Sequence, residues 1–101
     1  MKKMQFLPKL AAYLKEHNYI YTVRKFRYSL LDNEIEIEGV GPCERVHIQM
    51  VSKKENLAEY VYRSGFASLD EWWKEIKRMN REYVGPFYLY EIATKELHET
   101  T

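Results

Sequence analysis

The chain has 101 residues, 16 of them basic and 15 acidic, for a formal net charge of +1, so only a local cluster of charge could argue for nucleic acid. With 31% charged and 46% hydrophobic residues it is globular rather than disordered. A single cysteine, Cys43, excludes an internal disulfide and suits a reducing compartment. The length predicts one domain over residues 1–101, with a polar tail after about residue 97. Met1 to Leu7 imitates a signal peptide, but Pro8 and Lys9 cut the apolar run far below the roughly 20 residues that span a bilayer. The reading is a soluble, cytoplasmic protein. Nine tyrosines, four glycines and abundant Lys and Glu suit a thermophile.

Pro8 fits the first turn of a helix, where its missing N–H costs nothing, and Leu10, Tyr13 and Leu14 give that helix an apolar stripe to about Glu16. Tyr19 to Tyr28, rich in aromatic and β-branched residues, predicts a strand. Alternation places Ile20, Thr22, Arg24, Phe26 and Tyr28 on one face and Tyr21, Val23, Lys25 and Arg27 on the other. Leu31-Asp32-Asn33 reads as a turn. Glu34 to Glu38 alternates as a half-solvated strand with Ile35 and Ile37 inward. Gly39-Val40-Gly41-Pro42 breaks or bends the chain before a strand through Val46, Ile48 and Met50.

Two helices follow, over about 53–64 and 69–80. Ser52 with Glu55 and Ser68 with Glu71 both have capping-box spacing, in which a hydroxyl and a carboxylate satisfy backbone N–H groups of the first turn. Gly65 stands where the first helix should stop in a left-handed conformation, and Phe66 should be buried between the two helices and the sheet. Leu69, Trp72, Trp73, Ile76 and Met79 cover one broad face of the second helix. Gly85-Pro86 opens a last strand, Phe87 to Ile92. The order predicts an α+β fold: antiparallel or mixed strands curled into a small barrel, an N-terminal helix, and two helices inserted before the last strand.

Three segments resemble the ASCH domain, a branch of the PUA-like β-barrel superfamily. Tyr21-Thr22-Val23-Arg24 is similar to the Thr-x-Arg end of that family's Gly-x-Lys-x-x-Thr-x-Arg motif. Ser64-Gly65-Phe66-Ala67-Ser68 with Glu71-Trp72 resembles its Gly-Phe-x-Ser-x-x-Glu-aromatic segment, and Tyr88 to Ile92 resembles its closing strand. The resemblance covers roughly residues 6–92. It implies a PUA-like barrel that binds RNA or nucleotide-like ligands in a cleft between barrel and helices. Some members deacylate modified cytidine with a Lys, a Thr and a Glu. Here Thr22 and Glu71 would be the catalytic candidates. The motif's Gly and Lys positions are His17 and Tyr19, however, and an unactivated threonine hydroxyl is a poor nucleophile.

The basic strand is the main binding candidate. From His17 to Leu31 there is no acidic residue, and Arg24, Lys25 and Arg27 alternate with Tyr19, Tyr21, Phe26 and Tyr28. Cations hold phosphates and rings stack bases; equally, such rings pack a barrel whose charges are merely solvated. Arg24, sharing a face with Ile20 and Thr22, needs either an acidic partner such as Glu71 or Glu91, or a ligand anion. Cys43 and His47 sit roughly 13 Å apart on an extended strand, too far to share a metal ion. No metal or cofactor is expected. The leading expectation is an RNA- or nucleic-acid-binding domain using Tyr19, Tyr21, Thr22, Arg24, Lys25 and Arg27. The alternatives are a protein–protein adaptor docking through the Trp72–Trp73 helix, and a small amidohydrolase acting on a modified nucleoside.

Overall fold

The computed structural model describes residues 2–29 and 32–95. The elements run β1 (Lys2–Met4), α1 (Pro8–His17), β2 (Tyr19–Arg24), β3 (Glu34–Ile37), β4 (Gly41–Val51), a 3₁₀ helix (Lys54–Arg63), α2 (Leu69–Met79) and β5 (Phe87–Thr94). The strands form a five-stranded sheet in the order β1-β3-β4-β5-β2. Only the β1–β3 pair is parallel. The class is α+β, as expected. Leu31 of the expected turn and the tail after 97 lie outside the described residues.

The sheet is not closed into the expected barrel. Its edge strands β1 and β2 share no ladder; one side chain bridges them, Arg24 Nη2 donating to the Gln5 carbonyl at 3.1 Å. β1 has no length left with which to close the sheet, because the chain turns away through Leu7 into Pro8 and α1. α1 then ends in Asn18, whose left-handed backbone (φ 73°) lets its N–H reach the Leu14 carbonyl at 2.8 Å.

β2 stops at Arg24, four residues before the expected end. Its register against β5 pairs Arg24 with Tyr88, so Phe26 would face Pro86, which has no N–H to give a ladder. The Tyr90 hydroxyl takes over instead, accepting from the Tyr28 N–H at 2.8 Å and donating to the Phe26 carbonyl at 3.2 Å. At the other end β5 runs on to Thr94, because Ala93 and Thr94 still find partners in Tyr19 and Cys43. The glycine pair is a hairpin rather than a break: Ile37 faces Gly41 across the turn, with Gly39 at φ 83° and Gly41 at φ 103°.

Alternation sorts the apolar side chains into a core on each face of the sheet. Met4, Leu14, Ile20, Ile35, Ile37, Cys43, Tyr90 and Ile92 fill one, under α1. Val51, Leu57, Trp72, Ile76, Phe87 and Leu89 fill the other, under the 3₁₀ helix and α2. The corner between those helices follows its sequence signals closely. Ser68 Oγ accepts from the Glu71 N–H at 3.1 Å, and Gly65 adopts φ 84°. The Ser52–Glu55 box does not form; Asn56 Oδ1 accepts from the Ser52 and Lys53 N–H groups at 3.2 and 3.1 Å. Phe66 also departs from expectation. It packs beside the second core but is only partly buried, with Lys9 Nζ 4.7 Å from its ring. Trp72 is buried, and Trp73 lies half-exposed against Phe87.

Candidate functional site

A cleft of about 220 Å³ opens where β2 ends. Thr22, Val23 and Arg24 line it together with Lys25, Phe26 and Tyr28 of the segment that follows. One wall is the stretch from Gln5 to Leu10; the other is the inner face of α2, with Trp72, Glu75, Ile76, Met79 and Asn80. Phe66 joins Phe6, Phe26, Tyr28 and Trp72 among its aromatic residues. The cleft is thus mainly apolar, with a few polar groups at fixed places, the usual build of a ligand site.

Arg24 is the unusual member. Its Nη2 bonds the Gln5 carbonyl and its guanidinium lies 5.1 Å from the Phe6 ring centroid, yet its buried Nε–H has no hydrogen-bond partner. Neither Glu71 nor Glu91 pairs with it, and among the described residues no carboxylate does. Burial holds its pKa below the ordinary arginine value, with the Arg45 cation adding to the effect. A buried donor left unmade costs stability, more so on a charged group. The site therefore holds an unanswered positive charge.

A second arginine on the same face gives the contrast. Arg45 is 4% exposed, but its guanidinium lies 3.8 Å from the Tyr28 ring centroid and its Nη2 donates to the Asp32 carbonyl at 2.8 Å. That is a satisfied cation, held by a ring face and a carbonyl.

The expected binding residues separate into three places. Thr22, Arg24 and Lys25 line the cleft together. Tyr19 and Tyr21, on the opposite face of β2, join Tyr60 and Tyr62 instead. Tyr21 lies 5.0 Å from the Tyr60 ring, Tyr19 bonds the Tyr62 hydroxyl at 3.5 Å, and Arg63 lies 4.4 Å over Tyr19. Tyr13 donates to the Tyr62 carbonyl at 3.1 Å, so this cluster joins α1, β2 and the 3₁₀ helix. Arg27 is exposed beyond the end of β2. Glu71 is exposed on α2 and is not part of the cleft lining, whereas Glu75, one turn on, is.

Sequence reasoning missed Glu75, although it lies three residues after Trp72 and four before Met79, at the border of the apolar face. Arg78 donates to both of its carboxylate oxygens and holds its pKa below the usual carboxylate range. The cleft therefore presents a charged acceptor as well as a charged donor. Among the described residues no group of three or more His, Cys, Asp or Glu could hold a metal ion, and no helix is long and apolar enough to cross a membrane. Compared with protein-family models, curated proteins and solved structures, the chain matches none.

Proposed function

We propose that the protein binds RNA in this cleft, with Arg24 gripping a phosphate or a base edge. The observation that carries the reading is a half-buried arginine that lines an open cleft and has no carboxylate partner there, its buried Nε–H being unpartnered as well. A ligand anion in the cleft would supply the counter-charge that the guanidinium lacks. The aromatic lining offers a base something to stack on, and Glu75 offers an acceptor to its amino or imino groups. The ASCH resemblance of the Thr22–Arg24 and Ser64–Trp72 segments points the same way. Lys25, and Arg27 just outside, extend the positive field along a stretch without acidic residues.

Titration of a labelled single-stranded RNA over a series of salt concentrations tests this. Affinity should fall with salt at a log–log slope of about −0.7 per phosphate contact. Replacing Arg24, Lys25 and Arg27 together should flatten the slope by roughly 2. Replacing Glu36, exposed on β3, and Glu38, exposed in the turn after it, with glutamine should leave it unchanged. A folded triple variant that keeps the parent slope overturns the proposal.

A second reading has one observation in its favour: Thr22, Lys25 and Glu75 line the same cleft, a threonine, a lysine and a carboxylate such as deacylation of a modified nucleoside would use. No hydrogen bond joins Thr22 to either of the others among the described residues. Turnover of acylated cytidine that is lost on Thr22→Ala would establish it.

A further inference from the structure

Phe26 is an exposed aromatic residue that the fold holds in place. It is 59% exposed, on a segment outside regular secondary structure. Such a side chain would ordinarily fold inward or move with its loop, but here the backbone on each side is tied down. The Tyr90 hydroxyl donates to the Phe26 carbonyl and accepts from the Tyr28 N–H, while the Tyr83 hydroxyl, which donates to the Pro86 carbonyl at 2.6 Å, lies 3.3 Å from the Lys25 carbonyl. The Tyr90 hydroxyl, from the far end of the chain, thus anchors the backbone that carries this ring at the edge of the cleft. Its sequence neighbours Lys25 and Arg27 are both exposed cations, and Lys25 Nζ lies 5.3 Å from the ring centroid. Across the mouth Met79, 57% exposed, forms the opposite lip.

We infer that the ligand is a single-stranded RNA segment of at least two nucleotides, one base entering the cleft and the next stacking on Phe26. The inference rests on the RNA-binding reading of the cleft and names the form of RNA that fits it. At about 220 Å³ the cleft has room for one base. A base inside it must have left any duplex, because its polar edge has to meet Arg24 and Glu75 rather than a pairing partner. The adjoining base then emerges at the lip, where a pre-set ring offers a stacking face at little entropic cost. Lys25 and Arg27, the residues on either side of Phe26 in the chain, are exposed cations that would meet the phosphates flanking the base. An apolar lip built for a protein partner would have no need of cations next to its aromatic residue.

The test uses the full chain with four probes: a mononucleotide, a mixed-sequence single-stranded octaribonucleotide, its duplex with the complement, and the deoxy octamer. The single-stranded RNA should bind at least ~10-fold more tightly than the duplex and than the mononucleotide, one stacked base being worth about that factor. Phe26→Ala should lose that ~10-fold and keep the salt slope, since stacking releases no counterions. Phe26→Trp should keep the affinity, and its added indole emission should be quenched on binding. Phe26→Leu, apolar but without a ring face, should behave as Phe26→Ala does. Melting curves of each variant confirm that it folds; the exposed position makes a stability loss small.

If Arg24→Met abolishes binding while Phe26→Ala binds as the parent, the cleft reading stands and the lip inference falls. Equal affinity for duplex and single strand overturns it as well. So does full retention of RNA affinity in Phe26→Leu, which would leave the lip to a protein partner. Equal affinity of the deoxy octamer overturns the assignment to RNA. Binding that Arg24→Met leaves unchanged in every probe removes both readings together.

Discussion

Replacing Arg24 with methionine separates a ligand-binding arginine from a structural one. The substitution keeps a long flexible stem and removes the charge. On the debit side it loses the hydrogen bond to the Gln5 carbonyl, worth about 1.5–3 kcal/mol for a charged donor, and the contact with Phe6, about 0.5–1 kcal/mol. On the credit side it removes a partly buried cation whose Nε–H is unmade, a desolvation penalty of several kcal/mol, and adds apolar surface to a cleft with aromatic walls. The two sides nearly cancel. The variant should therefore unfold within about 1 kcal/mol of the parent, or later than it, which limits any fall in Tm to about 4–8 °C for a domain of this size. Chemical denaturation followed by far-UV circular dichroism measures this, with an unchanged denaturant slope as evidence that the native state is otherwise intact. The same protein should show at least ~10-fold weaker binding of single-stranded RNA, a loss of about 1.4 kcal/mol or more. A destabilisation of about 3 kcal/mol or more would refute the reasoning, since that is the cost of breaking a buried ionic contact the fold depends on. Arg24 would then be the tie between the two sheet edges and nothing more.

Arg45→Met should behave in the opposite way, costing about 2–4 kcal/mol in the same denaturation assay, because it removes both a ring contact and a carbonyl bond from a nearly inaccessible site. Gly65→Ala should destabilise by at least about 1–2 kcal/mol: φ is +84°, and the new Cβ would come within 2.6 Å of Leu10 Cδ2. A neutral result in a thermal melt would show that α1 shifts freely on the helical corner. Burial, with Arg27 adding to it, holds the His47 imidazole below its ordinary pKa of 6.5, so below that pH the unfolded chain takes up a proton that the folded one resists. Stability should be complete above about pH 6.5 and fall as the pH drops below it, toward the folded pKa. Urea midpoints at about pH 7.5 and about pH 5.5 should show the fall in the parent, and a smaller one in His47→Gln.

What the sequence disclosed depended on how far apart the cooperating residues lie. Ser68 and Glu71 are three positions apart, and Gly65 needs only its own φ, so the helical corner was legible. The end of β2 was not. It is set by Pro86 and Tyr90, more than sixty residues away, and nothing in the run from Phe26 to Tyr28 announces them. β1 was missed for a related reason: Lys2–Met4 has no alternation to display and becomes a strand only because β3 lies beside it. The period of two did place Thr22 and Arg24 on one face and Tyr21 on the other, which assembled half of the site. It could not show that Tyr19 and Tyr21 would be taken up by Tyr60 and Tyr62, or that α2 would bring Glu75 to the cleft.

The tyrosines also explain how one short edge strand can support a site. Hydroxyls that would idle on a flat sheet here bond the backbone: Tyr90 holds Phe26 and Tyr28, and Tyr13, donating to the Tyr62 carbonyl, secures α1 to the 3₁₀ helix. Each bond joins segments far apart in sequence, and together they leave β2 held at both ends with its outer side facing the cleft. In that setting Arg24 and Arg45 form a natural comparison. Both project from the same face of one sheet, and both are without a carboxylate among the described residues. Arg45 has been given a ring and a carbonyl; Arg24, at the open end, has been left a donor to spare. A fold able to satisfy the more deeply buried of two arginines could have satisfied the shallower one by placing a single Glu or Asp on the cleft wall. Glu75 stands on that wall, but its carboxylate is turned to Arg78. The unpaired guanidinium is thus a property of the cleft, and the proposed ligand anion would supply the partner it lacks.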